Sequence, residues 1–341
     1  MQPIKVLVVD DSIVFRELLV QNLSKDPAIQ IVGTAEDPFE ARDAILKYKP
    51  DVMTLDIELP KMSGIEFLRK LIPQYPMPVV VISSLSDKVF DALKAGAVDF
   101  VAKPTISKRD QLEDFIKNEL LVKIKIASTA KISNIKNTVA QEQQNLTADK
   151  KNLVVAIGAS TGGTEAIFDV VKEFGTDIPG VVVVQHMPPG FTDMYARRLN
   201  DQCHIRAKEA RTGDKVMPGQ LLLAPGGEEH MRLVKVNGVY QVEIKRGPRV
   251  NGHCPSVDVL FESVARTAGK DAVGIILTGM GGDGAKGLLA MRRAGARTIG
   301  QDESTCVVYG MPMVAHNLGA VEYQEKLSNI AKRTYSLLNN M

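Results

Sequence analysis

Leu153-Val154-Val155-Ala156-Ile157-Gly158-Ala159-Ser160-Thr161-Gly162-Gly163 is the stretch on which the fold of the larger part of this chain turns. An unbroken apolar run rich in Val and Ile reads as a strand buried on both faces, the type found in parallel sheets. The glycines after it break the strand, and residues 164–174 carry a helical pattern. Strand, glycine-rich turn and helix in that order open a βαβ unit. The alternation continues with a strand at 181–185, a helix at 192–200, a helix at 257–268, a strand at 272–277 and a helix at 285–294. Residues 231–246 alternate around Asn237-Gly238, a two-residue hairpin signal. The expectation is an α/β doubly wound unit with a mostly parallel sheet and an inserted antiparallel hairpin.

Toward the N-terminus the pattern is more regular still. Apolar strands are expected at 5–9, 29–35, 52–55, 79–82 and 98–102, with helices at 14–23, 39–48, 64–71, 88–95 and 111–121. Five such units predict an open parallel sheet covered on both faces, with ligands gathering beyond the carboxyl ends of the strands. Residues 1–120 carry 15 basic against 19 acidic side chains, whereas residues 121–151 carry six against two. That middle segment lacks Gly and Pro and becomes rich in Gln, Asn, Ser and Thr after residue 129. It reads as a polar basic linker. The chain therefore divides into 1–125, a linker 126–151, and 152–341.

Composition narrows the function. With 341 residues, 45% hydrophobic and 24% charged, the chain has the balance of a globular protein and is neither disordered nor collagen-like. A net charge of +2 argues against nucleic-acid binding as the main activity. No apolar run approaches the ~20 residues of a membrane span. The opening apolar stretch runs at once into Asp10-Asp11, unlike a secretory signal, so a cytoplasmic protein without membrane insertion is expected. Cys203, Cys254 and Cys306 are odd in number and widely spaced, and read as reduced thiols.

Gly158-Ala159-Ser160-Thr161-Gly162 fits G-x-S-x-G in the strand-to-helix setting of a nucleophile elbow. The helix N-terminus offers backbone N–H groups and a positive dipole end to a developing oxyanion. A phosphate-cradling glycine loop is the rival, although the P-loop lysine and the dinucleotide-binding spacing are both absent. A serine nucleophile needs a base, and His186 directly follows the strand 181–185. The base needs an orienting carboxylate, and Asp283 closes the turn Thr278-Gly279-Met280-Gly281-Gly282-Asp283-Gly284. An N-cap role for Asp283 is the plainer alternative. His204, His230, His253 and His316 read as satisfied surface or core histidines, His253 being nearest to an exception.

Asp10 and Asp11, Asp56, Ser83 and Lys103 each follow a different strand of the N-terminal unit and so share one rim. Clustered carboxylates repel and call for a cation. Oxygen ligands suit Mg²⁺, and with the Lys103 ammonium it would offset an arriving phosphoryl group.

With these residues in place, segment 1–125 resembles response-regulator receiver domains. The resemblance implies Asp56 as phosphoacceptor, Mg²⁺ held by Asp10 (through water), Asp11, Asp56 and the Glu58 carbonyl, and Ser83 with Phe100 as a switch pair. The stretches IGASTGGTEAI (157–167), QHMPPGFT (185–192), PSVDVLFESVA (255–265), AVGIILTGMGGDGAKG (272–287) and GMPMVA (310–315) resemble the catalytic domain of chemotaxis protein-glutamate methylesterases. That resemblance implies Ser160, His186 and Asp283 as the catalytic triad, with Thr161 and Met280 stabilising the oxyanion through backbone N–H groups. Cys254, where relatives often carry a basic residue, and Gly282, where they often have Asn, depart from the pattern. The function implied is a phosphorylation-regulated methylesterase, and a glutamine deamidase, acting on methylated chemoreceptors. Its receiver domain would gate the site and a chemotaxis histidine kinase would be its phosphodonor. A monomer is expected, and no cofactor for the hydrolysis. The alternative is a phosphorylation-dependent binding or phosphate-sink module with an inert hydrolase-like domain.

Overall fold

The computed structural model describes residues 2–84, 86–104, 113, 115–132, 146 and 152–341. They fall into two compact units, residues 1–134 and 135–341. The expected linker 126–151 lies mostly outside the described residues.

In the first unit the order is β1 (Ile4–Val9), α1 (Ile13–Leu23), β2 (Ile29–Ala35), α2 (Pro38–Tyr48), β3 (Val52–Asp56), α3 (Gly64–Leu71), β4 (Val79–Ser83), α4 (Lys88–Lys94) and β5 (Asp99–Ala102). The five strands are parallel in the order β2-β1-β3-β4-β5. All residues of β3 and β4 are buried, which is why those runs are mostly apolar rather than alternating, with Asp56 and Ser83 at their carboxyl ends. Ser12, Asp37 and Ser63 cap α1, α2 and α3, each accepting a backbone N–H of the first turn through its side-chain oxygen. Of the helix expected at 111–121, residues 111, 112 and 114 lie outside the described ones. Ile116–Leu120 form a π-helical turn that runs on as α5 (Leu121–Ala127).

The second unit runs β6 (Val154–Ala159), α6 (Gly163–Val171), β7 (Gly180–Gln185), α7 (Phe191–Gln202), β8 (Arg206–Glu209), β9 (Gln220–Leu223), β10 (Glu229–Val236), β11 (Val239–Arg246), α8 (Val257–Thr267), β12 (Ala272–Ile276), α9 (Ala285–Arg293), β13 (Arg297–Gln301), α10 (Met311–Asn317), β14 (Tyr323–Glu325) and α11 (Leu327–Asn339). Seven strands form one sheet in the order β14-β13-β12-β6-β7-β9-β8, with every ladder parallel. β10 and β11 form their own antiparallel ribbon. Asn237 (φ 49°) and Gly238 (φ 82°) supply the two left-handed residues that such a tight hairpin needs.

All residues of β6 and β7 are buried. Each Val or Ile there contributes on the order of 1.5–3 kcal/mol relative to exposure. The register Ala159↔Gln185 and Ile276↔Gly158 aligns the ends of β7, β6 and β12 at one edge. Ser160, His186 and the turn 278–284 therefore leave the sheet side by side.

Candidate active site and acid pocket

β6 extends to Ala159, so the turn begins at Ser160 itself, and Gly162 takes the left-handed φ of 75° that lets α6 start at once. The Ser160 N–H donates to the Thr278 carbonyl at 3.0 Å. Its own carbonyl accepts from the Gly163 N–H at 2.7 Å and from Gln185 Nε2 at 2.8 Å. Gln185 Nε2 also donates to the His186 carbonyl at 3.2 Å. One buried amide thus ties the main chains of Ser160 and His186 together. Gly279 is required on the other side, because a Cβ there would lie 2.7 Å from Ser160 Cβ.

His186 Nε2 lies 2.8 Å from Asp283 Oδ2. A carboxylate only accepts, so the imidazole proton sits on Nε2 and Nδ1 keeps its lone pair. Nδ1 is buried and, among the described residues, has no hydrogen-bond partner. An imidazole with one nitrogen anchored and the other without a partner, on the strand next to that of Ser160, has the protonation state a base requires. Ser160 and His186 are register neighbours without a side-chain hydrogen bond, a separation common in sites that await substrate.

Asp283 is 1% exposed. Its Oδ2 also accepts from the Val257 N–H at 2.7 Å, and its Oδ1 accepts from Ser256 Oγ at 2.7 Å, Asn251 Nδ2 at 2.8 Å and the Asp258 N–H at 3.2 Å. The carboxylate therefore sits on the N-terminus of α8, where the dipole favours an anion. Burial pushes its pKa up, but the bond and charge of His186, with Asn251 and Ser256, outweigh burial and hold it well below the carboxylate range.

The other histidines divide. His230 is a satisfied core residue, bonded through Nε2 to the Pro248 carbonyl and accepting the Ser256 N–H at Nδ1. His253 is not incidental: its ring stacks on His186 with centroids 3.7 Å apart and planes 9° apart. Thr161 is buried beside Ser160 with its carbonyl tied to Thr278 Oγ1, and Met280 follows Gly279 on the exposed side of the turn. The left-handed positions of that turn are Gly281 and Gly284, not Gly282, where an added Cβ would meet only Val314 at 3.1 Å. Cys254 lines a cleft of about 470 Å³ with Glu228, Arg246 and Arg249. Reasoning from sequence missed Gln185, Asn251, Ser256 and Asp258, because each acts through a group remote in the chain.

In the first unit, Asp10, Asp11 and Asp56 offer ligand oxygens that all lie within 4.8 Å of one another. Asp10 and Asp56 are buried, and Asp11 is exposed. Lys103 Nζ reaches Asp10 Oδ2 at 2.9 Å and Asp56 Oδ2 at 2.6 Å. The Lys103 N–H donates to the Ser83 carbonyl, which joins the ends of β4 and β5. The Glu58 N–H donates to Asp56 Oδ1 at 2.9 Å. An all-oxygen donor set of this charge fits Mg²⁺. Ser83 is buried, and Phe100 is buried edge-on to Phe90 with ring centroids 6.4 Å apart. Burial raises the Asp10 carboxyl, the more so beside Asp56, although Lys103 opposes the rise.

A carboxyl raised in the folded state destabilises it at pH values above that raised pKa, and the penalty disappears as pH falls below the unfolded value. Asp10→Asn is therefore expected to stabilise the metal-free protein at neutral pH. The gain should shrink as the pH is lowered through the carboxylate range, as read by denaturant unfolding at a series of pH values. A constant or absent gain would contradict this account of the pocket.

Residues 155–334 match the family described as CheB methylesterase, and residues 6–117 match the response regulator receiver domain. The chain is 60% identical over 338 residues to protein-glutamate methylesterase/protein-glutamine glutaminase 2 of Syntrophomonas wolfei, covering 99% of this chain and 98% of that one. It is 51% identical over 347 residues to protein-glutamate methylesterase/protein-glutamine glutaminase of Syntrophotalea carbinolica, covering 98% of each. Among solved structures, the Thermotoga maritima CheB methylesterase catalytic domain superposes with a TM-score of 0.53 at 35% identity, over 54% of this chain and 98% of that one. No helix among the described residues is long and apolar enough to cross a membrane.

Proposed function

The chain belongs to the CheB methylesterase family and carries a receiver domain, and from that premise we propose that it is a phosphorylation-regulated protein-glutamate methylesterase and protein-glutamine glutaminase acting on chemoreceptors. The observation that carries the reading is the part-buried His186–Asp283 pair at 2.8 Å, on the strand end next to that of Ser160.

Ser160 Oγ attacks the carbonyl carbon of a glutamyl methyl ester while His186 Nδ1 takes its proton. Asp283 stabilises the imidazolium and holds its tautomer without itself becoming protonated. The Thr161 and Met280 N–H groups receive the oxyanion. Collapse of the tetrahedral intermediate expels methanol, which leaves with the proton from His186. Water, deprotonated by the same nitrogen, then cleaves the acyl-enzyme to a receptor carboxylate. A glutamine side chain follows the same path and releases ammonia, a poorer leaving group.

In the receiver, Asp56 takes a phosphoryl group from a histidine kinase, and Lys103 pairs with it. Asp10, Asp11, Asp56 and the Glu58 carbonyl would hold Mg²⁺, which when bound supplies positive charge to the phosphoryl oxygens. Ser83 and Phe100 report the change within the domain, and the domain gates the esterase. The inert-module alternative is not favoured, since an anchored imidazole and a five-donor carboxylate would serve no purpose on a docking surface. The test is methanol release from methylated receptor membranes by the full chain, which an inert module lacks. Asp56→Ala is expected to abolish stimulation by a small phosphodonor, a factor of about 5–150 for coupled sites, while leaving basal release intact. Undiminished stimulation in that variant would sink the regulatory part.

A further inference from the structure

Asn251 holds a left-handed backbone, φ 53°, in a turn closed by hydrogen bonds between Val250 and His253 in both directions. Bulkier residues than glycine adopt that conformation at a cost and keep it where the surroundings demand it. The demand here is visible. Asn251 Nδ2 donates to Asp283 Oδ1 at 2.8 Å and to Asp258 Oδ2 at 2.7 Å. Both N–H bonds of one amide are thus spent on two carboxylates, which are 1% and 3% exposed. Asp258 cannot turn away from Asp283, because its Oδ1 is fixed by the Gly287 N–H at 2.7 Å. Without a donor between them, two buried like charges would face each other directly.

We propose that Asn251 is a positioning residue of the esterase: its amide bridges Asp258 and Asp283, so that Asp283 stays ionised with Oδ2 aimed at His186. The inference rests on the hydrolytic reading of Ser160, His186 and Asp283. The ionisable groups around the bridge are His186 and the stacked His253, Asp258, Asp283, and Glu262 one turn along α8. His230 bears on it through the Ser256 N–H. Burial, aided by Asp283, already raises the Asp258 carboxyl.

Asn251 is itself exposed, so removing its side chain hollows no core. Glycine accepts φ 53° freely, which makes Asn251→Gly a deletion of the amide alone. In the full chain, Asn251→Gly is expected to lower kcat for methanol release about tenfold or more with KM little changed, and to lower the thermal midpoint by a few degrees at neutral pH, because two buried carboxylates are left facing each other. The acid limb of the kcat/KM profile should move to higher pH, because the unbridged pair retains a proton further up the scale. Adding Asp258→Asn removes the repulsion and should return the limb toward its original position. Unchanged kcat and pH profile in Asn251→Gly, or no recovery of the pH profile in the double variant, would each overturn the proposal. Absence of Ser160-dependent methanol release in the unsubstituted protein would instead remove the hydrolytic reading beneath it.

Discussion

Ser160→Ala is expected to lower methanol release from methylated receptor membranes by about 10⁶-fold, the scale on which a serine hydrolase loses its nucleophile. The backbone reasons for the turn survive the change. The Thr278 carbonyl still receives the residue's N–H, Gln185 still holds its carbonyl, and a Cβ remains to pack on Gly279. The thermal midpoint should therefore stay within a few degrees of the unsubstituted protein. Labelling of Asp56 by a small phosphodonor should be unaffected, since the acid pocket is built from other residues in another unit. Methanol release persisting above a hundredth of the original rate would mean that another group attacks the ester.

The second large effect is expected at Asp283. Asp283→Asn replaces two acceptors by one acceptor and one donor. Oδ1 faces three donors (Asn251, Ser256 and the Asp258 N–H), whereas Oδ2 faces His186 and the Val257 N–H. The amide oxygen is therefore expected to keep the Oδ1 place and turn its NH₂ toward His186. That forces the imidazole proton from Nε2 to Nδ1, the nitrogen that accepts from Ser160 in the proposed mechanism. kcat should fall about 10⁴-fold, with KM little changed, because the wrong tautomer is the resting state. NH₂ against the Val257 N–H, and the loss of a charge bound by five donors, should lower stability at neutral pH by about 2–3 kcal/mol. The lowered Asp283 pKa means that this contribution is present above the ordinary carboxyl range and lost as pH falls through the folded-state value. Unfolding curves of the two proteins should therefore converge in strong acid. Equal activity, or a stability difference that grows on acidification, would contradict the arrangement.

Both expectations draw on a site that was partly legible before any coordinates. Ser160, His186, Asp283 and Asp56 each stand where a strand gives way to a turn, and strand ends can be read from a few contiguous residues. β8, with the sequence Arg-Ala-Lys-Glu, and β13, with Gly300 inside it, were not legible. One is a short, charged edge strand and the other is weakened by glycine, so neither carries an apolar run. β14 and the two helices after β13 were missed as well, their patterns being short or evenly mixed. The sheet expected as mostly parallel is parallel in every ladder, because the hairpin forms a ribbon of its own.

The amino-acid order alone determined two α/β units and which polar residues stand at each rim, because apolar period and glycine punctuation are properties of neighbours in the chain. Only the tertiary structure decided that β12 lies beside β6, that Asp283 is gripped by α8 and Asn251, and that His186 turns Nε2 rather than Nδ1 to the carboxylate. Those facts depend on strand order and on hydrogen bonds between residues 25 to 97 positions apart, a separation that no local pattern encodes.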